Sequence, residues 1–272
     1  YITDPMRVTY MPGGIGAVAY NAVVAQRPDS ANTIVAFSGG SLLNLAQGKF
    51  GRYGENDVRW LAAVGADYGA VVVAENSPYK SLKDVLAAVK ADPAKVVFGA
   101  GGTVGSQDWM KAALTARAAG VNPKAMRFVA FEGGGEAMTA LQGGHIHVFT
   151  GDAAETVQQI KAGSKVRILA VMADKRLGGD LATVPTAKEQ GTDIEWPIIR
   201  GFYLGPKVSD ADFKVWSDTF AKMMATPAYD KARAERGLYP FTLTGAQADA
   251  HVKAQVAAYR KLAEDFGLAV TK

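Results

Sequence analysis

The sequence predicts an α/β fold arranged as two lobes, each a mixed sheet flanked by helices. Three observations carry this. One plan recurs along the chain: a β-rich apolar run, a Gly-rich loop, then an Ala-rich amphipathic run. Apolar residues in the helical runs recur at i, i+3, i+4 and i+7. The tail from about residue 210 is helical throughout. Alternating strands and helices imply a parallel or mixed sheet covered by helices on both faces.

The plan first appears in MRVTYMPGGIGAVAYNAVVAQ, whose loop holds Pro12, Gly13, Gly14 and Gly16. NTIVAFSGGSLLNLAQG repeats it with Ser38, Gly39, Gly40 and Ser41. Residues 70–73 then read as a strand, and SLKDVLAAVKA as a helix capped by Ser81, with Leu82, Val85, Leu86 and Val89 on one face. KVVFGAGGTVGSQDWMKAAL, MRFVAFEGGGEAMTALQGG and HIHVFTGDAAETVQQIKAG give three further copies, and residues 166–172 another strand. In the tail, Phe213, Trp216, Phe220 and Met223 share one helical face, as do Val252, Val256, Tyr259 and Phe266; both stripes have the spacing of core-facing helices. This order places residues 1–98 and 206–272 in a first lobe and 99–205 in a second. The expected crossings lie near 95–101 and 199–206.

Composition narrows the function classes. Cysteine is absent, which removes disulfides, thiol nucleophiles, Cys-ligated zinc and iron–sulfur clusters. The net charge of +4 is spread along the chain without a basic stripe, so no nucleic-acid partner is expected. No apolar run approaches the ~18 residues of a membrane span. The chain opens on Tyr1 rather than Met, and removal of a leader is expected.

The chemistry concentrates in the Gly loops. A helix N-terminus offers unpaired N–H groups and partial positive charge, so it can hold an anion without a cationic side chain. At Gly101, Gly102, Thr103, Val104, Gly105 and Ser106 two hydroxyls join the glycines, and no Lys or Arg falls between Lys95 and Lys111. That pattern favours a carboxylate over a polyphosphate; the plainer reading is a set of tight turns. A dinucleotide fingerprint fails, because Val104 stands three residues after Gly101 where Gly or Ala is required. A ribose-binding acid is normally ~20 residues on, and Glu132 lies well past that. No P-loop occurs.

His145 and His147 would share one face of a strand near Asp152, but a third metal ligand at suitable spacing is missing, so no metal site is expected. His251 stands alone in the last helix and is expected to be exposed. Ser38, Ser41, Thr103 and Ser106 lie in loops without a nucleophile motif, and Glu132, Glu136, Asp152 and Glu155 could supply acid and base at unknown separations. Asp152 reads equally as the cap of the helix starting at Ala153 and as a ligand contact.

At MPGGIGAVAYN, FSGGSLLNLAQGKFG, FGAGGTVGSQDWMKAALTA, VAFEGGGEAMTALQGGHI, VPTAKEQG and EWPIIRGFYLGPK the chain resembles the periplasmic solute-binding proteins of the tripartite tricarboxylate transporters, the group that includes the Bordetella uptake proteins. It is most similar to the tricarboxylate (citrate) receptors. The resemblance runs along nearly the whole chain. It implies a two-lobed periplasmic-binding-protein (Venus-flytrap) fold, a di- or tricarboxylate enclosed between lobes, export to the periplasm, and delivery to a membrane transporter with one large and one small subunit. It implies a monomer with neither cofactor nor catalytic residues.

Carried over by matching segments, Gly102, Thr103, Val104, Gly105 and Ser106 would cradle a carboxylate in the second lobe. Phe37, Ser38, Gly39 and Ser41 would face the cleft from the first. Gly133, Gly134 and Gly135 match a loop at its mouth, and Tyr68 a cleft wall. Asp152 matches the position that meets an ammonium group in amino-acid-binding relatives. Arg200, beside the second crossing, is the basic residue nearest the expected site. Family members begin with a strand and a PGGG-type loop that would precede Tyr1, so the first lobe's half of the site is expected to be incomplete. The alternative reading is an α/β enzyme acting on a carboxylate or nucleotide; a third is a scaffold whose loops are only turns.

Overall fold

A computed structural model describes residues 2–268. In chain order its helices and strands are α1 (Ala17–Gln26), β1 (Val35–Ser38), α2 (Gly39–Ala46), β2 (Arg59–Tyr68), β3 (Ala70–Ala74), α3 (Leu82–Ala91), β4 (Val97–Gly101), α4 (Gln107–Ala118), β5 (Arg127–Phe131), α5 (Gly134–Gln142), β6 (Val148–Phe149), α6 (Ala153–Lys161), β7 (Val166–Val171), β8 (Pro197–Leu204), α7 (Asp210–Met224), α8 (Pro227–Glu235), β9 (Leu243–Thr244) and α9 (Gly245–Asp265). The α/β class predicted from the repeated plan is the observed one.

The chain divides into two compact units. Unit 1 comprises Tyr1–Ala66 and Ile199–Lys272, and unit 2 comprises Asp67–Ile198. The crossing expected near 95–101 is therefore corrected: β4 lies wholly inside unit 2, and the division falls within β2 instead. That strand was missed in the sequence because its Ala-rich RWLAAVGADY carries few β-branched residues. The second division falls within β8, at the start of the 199–206 stretch.

Unit 1 holds a four-stranded sheet in the order β1-β8-β2-β9, with β1 antiparallel to β8 and β9 antiparallel to β2. Its core has two centres. One is aromatic: Phe37 and Tyr203 sit edge-on or tilted around Trp60 at 4.9 and 5.3 Å, and Tyr20 bridges Tyr203 and Phe50. The other is formed by Leu61, Ala62, Leu204, Val208 and Phe220, covered by Phe213, Trp216 and Met223 from α7. In α9, Val252, Val256 and Tyr259 are buried on one face. His251 departs from its expectation: its ring packs against Phe241, and Nε2 is buried without a hydrogen-bond partner.

The strand expected in MRVTYM does not form. Residues 2–13 are exposed and outside any helix or strand, because an extended backbone becomes a strand only when a ladder partner satisfies its N–H and C=O groups.

Unit 2 holds a five-stranded sheet in the order β5-β4-β6-β3-β7. β4 runs parallel to both β5 and β6, while β3 is antiparallel to β6 and β7. The uninterrupted apolar run of β3 suits a strand covered on both faces, and residues 70–73 are fully buried. α3 starts as its sequence dictates: the Ser81 hydroxyl accepts from the Asp84 amide at 3.3 Å, and Leu82, Val85 and Val89 turn inward. α4 is buried along almost its whole length, from Trp109 to Ala116, and its alanines keep it slim enough for that position.

Candidate functional site in unit 2

Three parallel neighbours, β5, β4 and β6, each run into a Gly-containing loop and then a helix. Their helices therefore begin at one end of the sheet, outside the carboxyl ends of the strands, where open α/β sheets bind ligands. The three loops touch. The Gly102 amide donates to the Phe131 carbonyl at 3.0 Å, joining the β4 loop to the β5 loop. The Glu155 carboxylate of α6 lies so close to Gly134 that a side chain there would collide with it.

The β4 loop owes its shape to two glycines in the left-handed region, Gly102 at φ +79° and Gly105 at φ +89°. Thr103 and Val104 between them are exposed, Val104 at 61%. The turn closes with the Ser106 amide on the Thr103 carbonyl at 3.0 Å. Ser106 caps α4 by accepting from the Trp109 amide at 3.3 Å. At α5, Gly133 occupies the cap position and no side chain serves the first turn.

The start of α6 excludes the cap reading of Asp152. Its carboxylate makes no cap. The Ala154 amide donates instead to Asp67 Oδ1 at 3.1 Å, and the Tyr68 amide donates to the same oxygen at 2.7 Å. Asp152 Oδ1 faces the Lys111 ammonium at 2.6 Å, and Asp108 Oδ1 meets the same nitrogen at 2.9 Å. Behind the helix starts thus lies a charge network that the sequence reading missed: Asp67, Asp108, Lys111 and Asp152, with Glu155 at its edge.

Burial decides the electrostatics there. Lys111 is 0% exposed; burial works against its charge, but Asp108 and Asp152 outweigh that and hold the ammonium above its ordinary value. Burial pushes the Asp108 carboxyl up, against the pull of Lys111. Asp67 is pushed up to about 6 by burial and by Asp152, against the two amides that donate to it. Glu155 is raised by burial and then by Asp152 and Asp108. Two signals pointed to this network: a lysine inside the apolar stretch WMKAAL, and an acid inside ADYGAVVV.

The remaining expected residues are placed as follows. Tyr68 is half-buried beside Asp67. His145 and His147 precede β6 rather than lying in it, and His147 Nδ1 accepts from the Val97 amide at 3.0 Å. Among the described residues no group of three or more His, Cys, Asp or Glu is arranged to hold a metal ion. Glu132 is exposed at the end of β5.

In unit 1, Phe37 is only 7% exposed and its ring belongs to the aromatic core, so it offers no exposed contact. Gly39 and Ser41 are buried, and Ser38 is half-buried opposite Arg200 in the β1–β8 ladder.

A family model described as TctC, tripartite tricarboxylate transporter family receptor, matches residues 3–268. The chain is 29% identical over 206 residues to the UPF0065 protein in the gbd 5'region of Cupriavidus necator. That match covers 75% of this chain and 60% of the relative, so the chain spans less than two thirds of the curated protein it resembles. Among solved structures it is similar to a ligand-free TctC solute-binding protein from Polaromonas, with a TM-score of 0.80 and 25% identity over 93% of this chain and 85% of that one. The periplasmic binding protein BugD follows it in fold, with a TM-score of 0.69 and 22% identity over 94% and 85%. MatC from Rhodopseudomonas palustris, solved with bound malate, shares the fold with a TM-score of 0.67 and 18% identity over 92% and 85%.

Proposed function

The chain belongs to the tripartite tricarboxylate transporter receptor family, and from that premise we propose that it is a solute-binding receptor. It captures a small di- or tricarboxylate, citrate-like in size and charge, and delivers it to a membrane transporter built of one large and one small subunit. It works in the periplasm as a monomer, without cofactor, metal or turnover.

The observation that carries this reading is the unit 2 site: helix starts gathered at one end of three adjacent parallel strands, with two left-handed glycines holding an exposed β4 loop. Backbone N–H groups at such a place suit a carboxylate, whose two oxygens each accept more than one donor. In this reading Gly102, Thr103, Val104, Gly105 and Ser106 hold one carboxylate. Gly133, Gly134 and Gly135 border it, Tyr68 lines it and Asp152 closes its floor. Ser38, half-buried at the α2 start, offers a second, separate donor in unit 1.

Thermal unfolding against malate, citrate, succinate, glutamate and NAD tests the reading. A ligand at ~100 times its dissociation constant adds roughly 2.7 kcal/mol. For a chain of this length that raises the midpoint by about 5 °C or more. A carboxylate is expected to give that shift and NAD none. Gly105→Val, which forces a β-branched residue to a φ it avoids, and Thr103→Pro, which deletes one amide, are each expected to abolish the shift while the protein stays folded. Silence across the panel, or a shift with NAD alone, overturns the proposal.

A further inference from the structure

Lys111 has no part in the capture scheme above. Its side chain is 0% exposed, so it is sealed from any ligand. Yet it is the cation of a network that otherwise holds only acids. Asp108 lies three residues earlier on α4, and Asp152 immediately precedes α6. Asp67 approaches from the end of β2, bonded to the first turn of α6. Glu155 projects from that first turn toward the start of α5, and the Tyr68 backbone amide donates to Asp67.

The charge balance matters because of what the helix starts can offer. A helix N-terminus presents about half a unit of positive charge. Uncompensated carboxylates a few ångströms away, in a partly buried setting, would outweigh it, since two unit charges ~4 Å apart interact by several kcal/mol near a protein surface. Asp108 and Asp152 each keep an exposed edge, at 22% and 27% of the side chain, whereas the ammonium between them is sealed. An arriving anion therefore meets two acids whose charge is already partly offset from behind by an ammonium that is itself sealed from it. The seal is built in: a Cβ at Gly69 would lie 2.7 Å from Lys111 Cδ, so the lysine stem passes through the space that Gly69 leaves empty.

We propose that Lys111 is the positioning residue that makes the unit 2 site an anion site: it offsets half the charge of the Asp108 and Asp152 pair from within the core and ties the start of α4 to the start of α6. The proposal deepens the capture reading and rests on it.

The test uses isothermal titration with malate and with citrate on the whole protein at about pH 5.5 and about pH 8, with each variant compared to wild type at the same pH. Lys111→Met is expected to weaken binding about tenfold or more at the higher pH. The deficit should shrink at the lower pH, where the buried Asp108 carboxyl, freed of its counter-ion, takes up a proton. The triple variant Lys111→Met/Asp108→Asn/Asp152→Asn, which is uncharged at these three positions and so carries one negative charge fewer than wild type there, should bind at least as tightly as wild type at both pH values.

A purely structural lysine would lower the unfolding midpoint without this pH signature. Wild-type affinity in Lys111→Met at both pH values, or a triple variant as weak as the single one, overturns the assignment. If Lys111→Met does not fold, Asp152→Asn decides: it keeps the Lys111–Asp108 pair and removes one negative charge, so it should bind citrate more tightly, and an unchanged dissociation constant overturns the proposal. The wild-type titration tests the capture reading alone. If wild type takes neither ligand, that reading falls and removes the premise for Lys111.

Discussion

The starts of α2 in unit 1 and α4 in unit 2 are written in similar residues, FSGGS and GAGGTVGS, and are used differently. The first is packed away: Phe37 joins the aromatic cluster, Gly39 and Ser41 are buried, and Ser38 makes no side-chain cap. The second stays open, with Thr103 and Val104 exposed and Ser106 capping the helix. Apolar rings back one loop and charges back the other. Glycine and hydroxyl spacing announces a helix start; what lies behind it decides whether its amides face solvent or core.

The largest expected effect breaks the unit 1 side. Trp60 is almost fully buried, contacts Tyr20, Phe37 and Tyr203, and its Nε1 donates to the Glu55 carbonyl at 2.9 Å. Trp60→Ala should cost about 3–5 kcal/mol. Chemical denaturation followed by circular dichroism would show it, and a loss within ~0.5 kcal/mol would mean that the rings do not carry the loop.

The second effect belongs to unit 2 and depends on pH. Asp67 is 5% exposed and its carboxyl is raised from the ordinary 3.8 to about 6. An acid that holds its proton more tightly when folded stabilises the protein below its ordinary pKa, and that contribution drains away as pH rises through the folded value. Wild type should therefore lose about 3 kcal/mol between about pH 4 and about pH 6 from this group. Asp67→Asn keeps the oxygen that caps α6 and should flatten that slope. A slope unchanged in the variant would assign the pH dependence elsewhere.

The smallest effect compares the two caps directly. Ser106→Ala should cost about 1 kcal/mol, because the hydroxyl serves the Trp109 amide. Ser38→Ala should cost a few tenths at most, since Ser38 serves no amide through its side chain. Equal losses in paired urea titrations would erase the contrast.

Legibility followed the range of the interactions. Periodicity and capping are local, so α3 with its Ser81 cap and the inward faces of α7 and α9 could be read directly. Pairing is not local. MRVTYM alternates like a strand yet has no ladder, while the Ala-rich β2 forms one with β9 despite a weak pattern. The site was half legible for the same reason. The β4 loop declared itself by its glycines. The network behind it joins positions 67, 108, 111 and 152, which no spacing rule connects, and so Asp152 was left between cap and contact while Asp67 held the amide.

Gly69 and Lys111 also constrain how this sequence can change. The space that Gly69 leaves is filled by the Lys111 stem together with Met172 Sδ. A lineage that enlarges position 69 must make room at positions 111 and 172 at nearly the same time, and shortening 111 first leaves two half-buried carboxylates without their counter-ion. Each single step is expected to lower stability, so these positions are expected to change together.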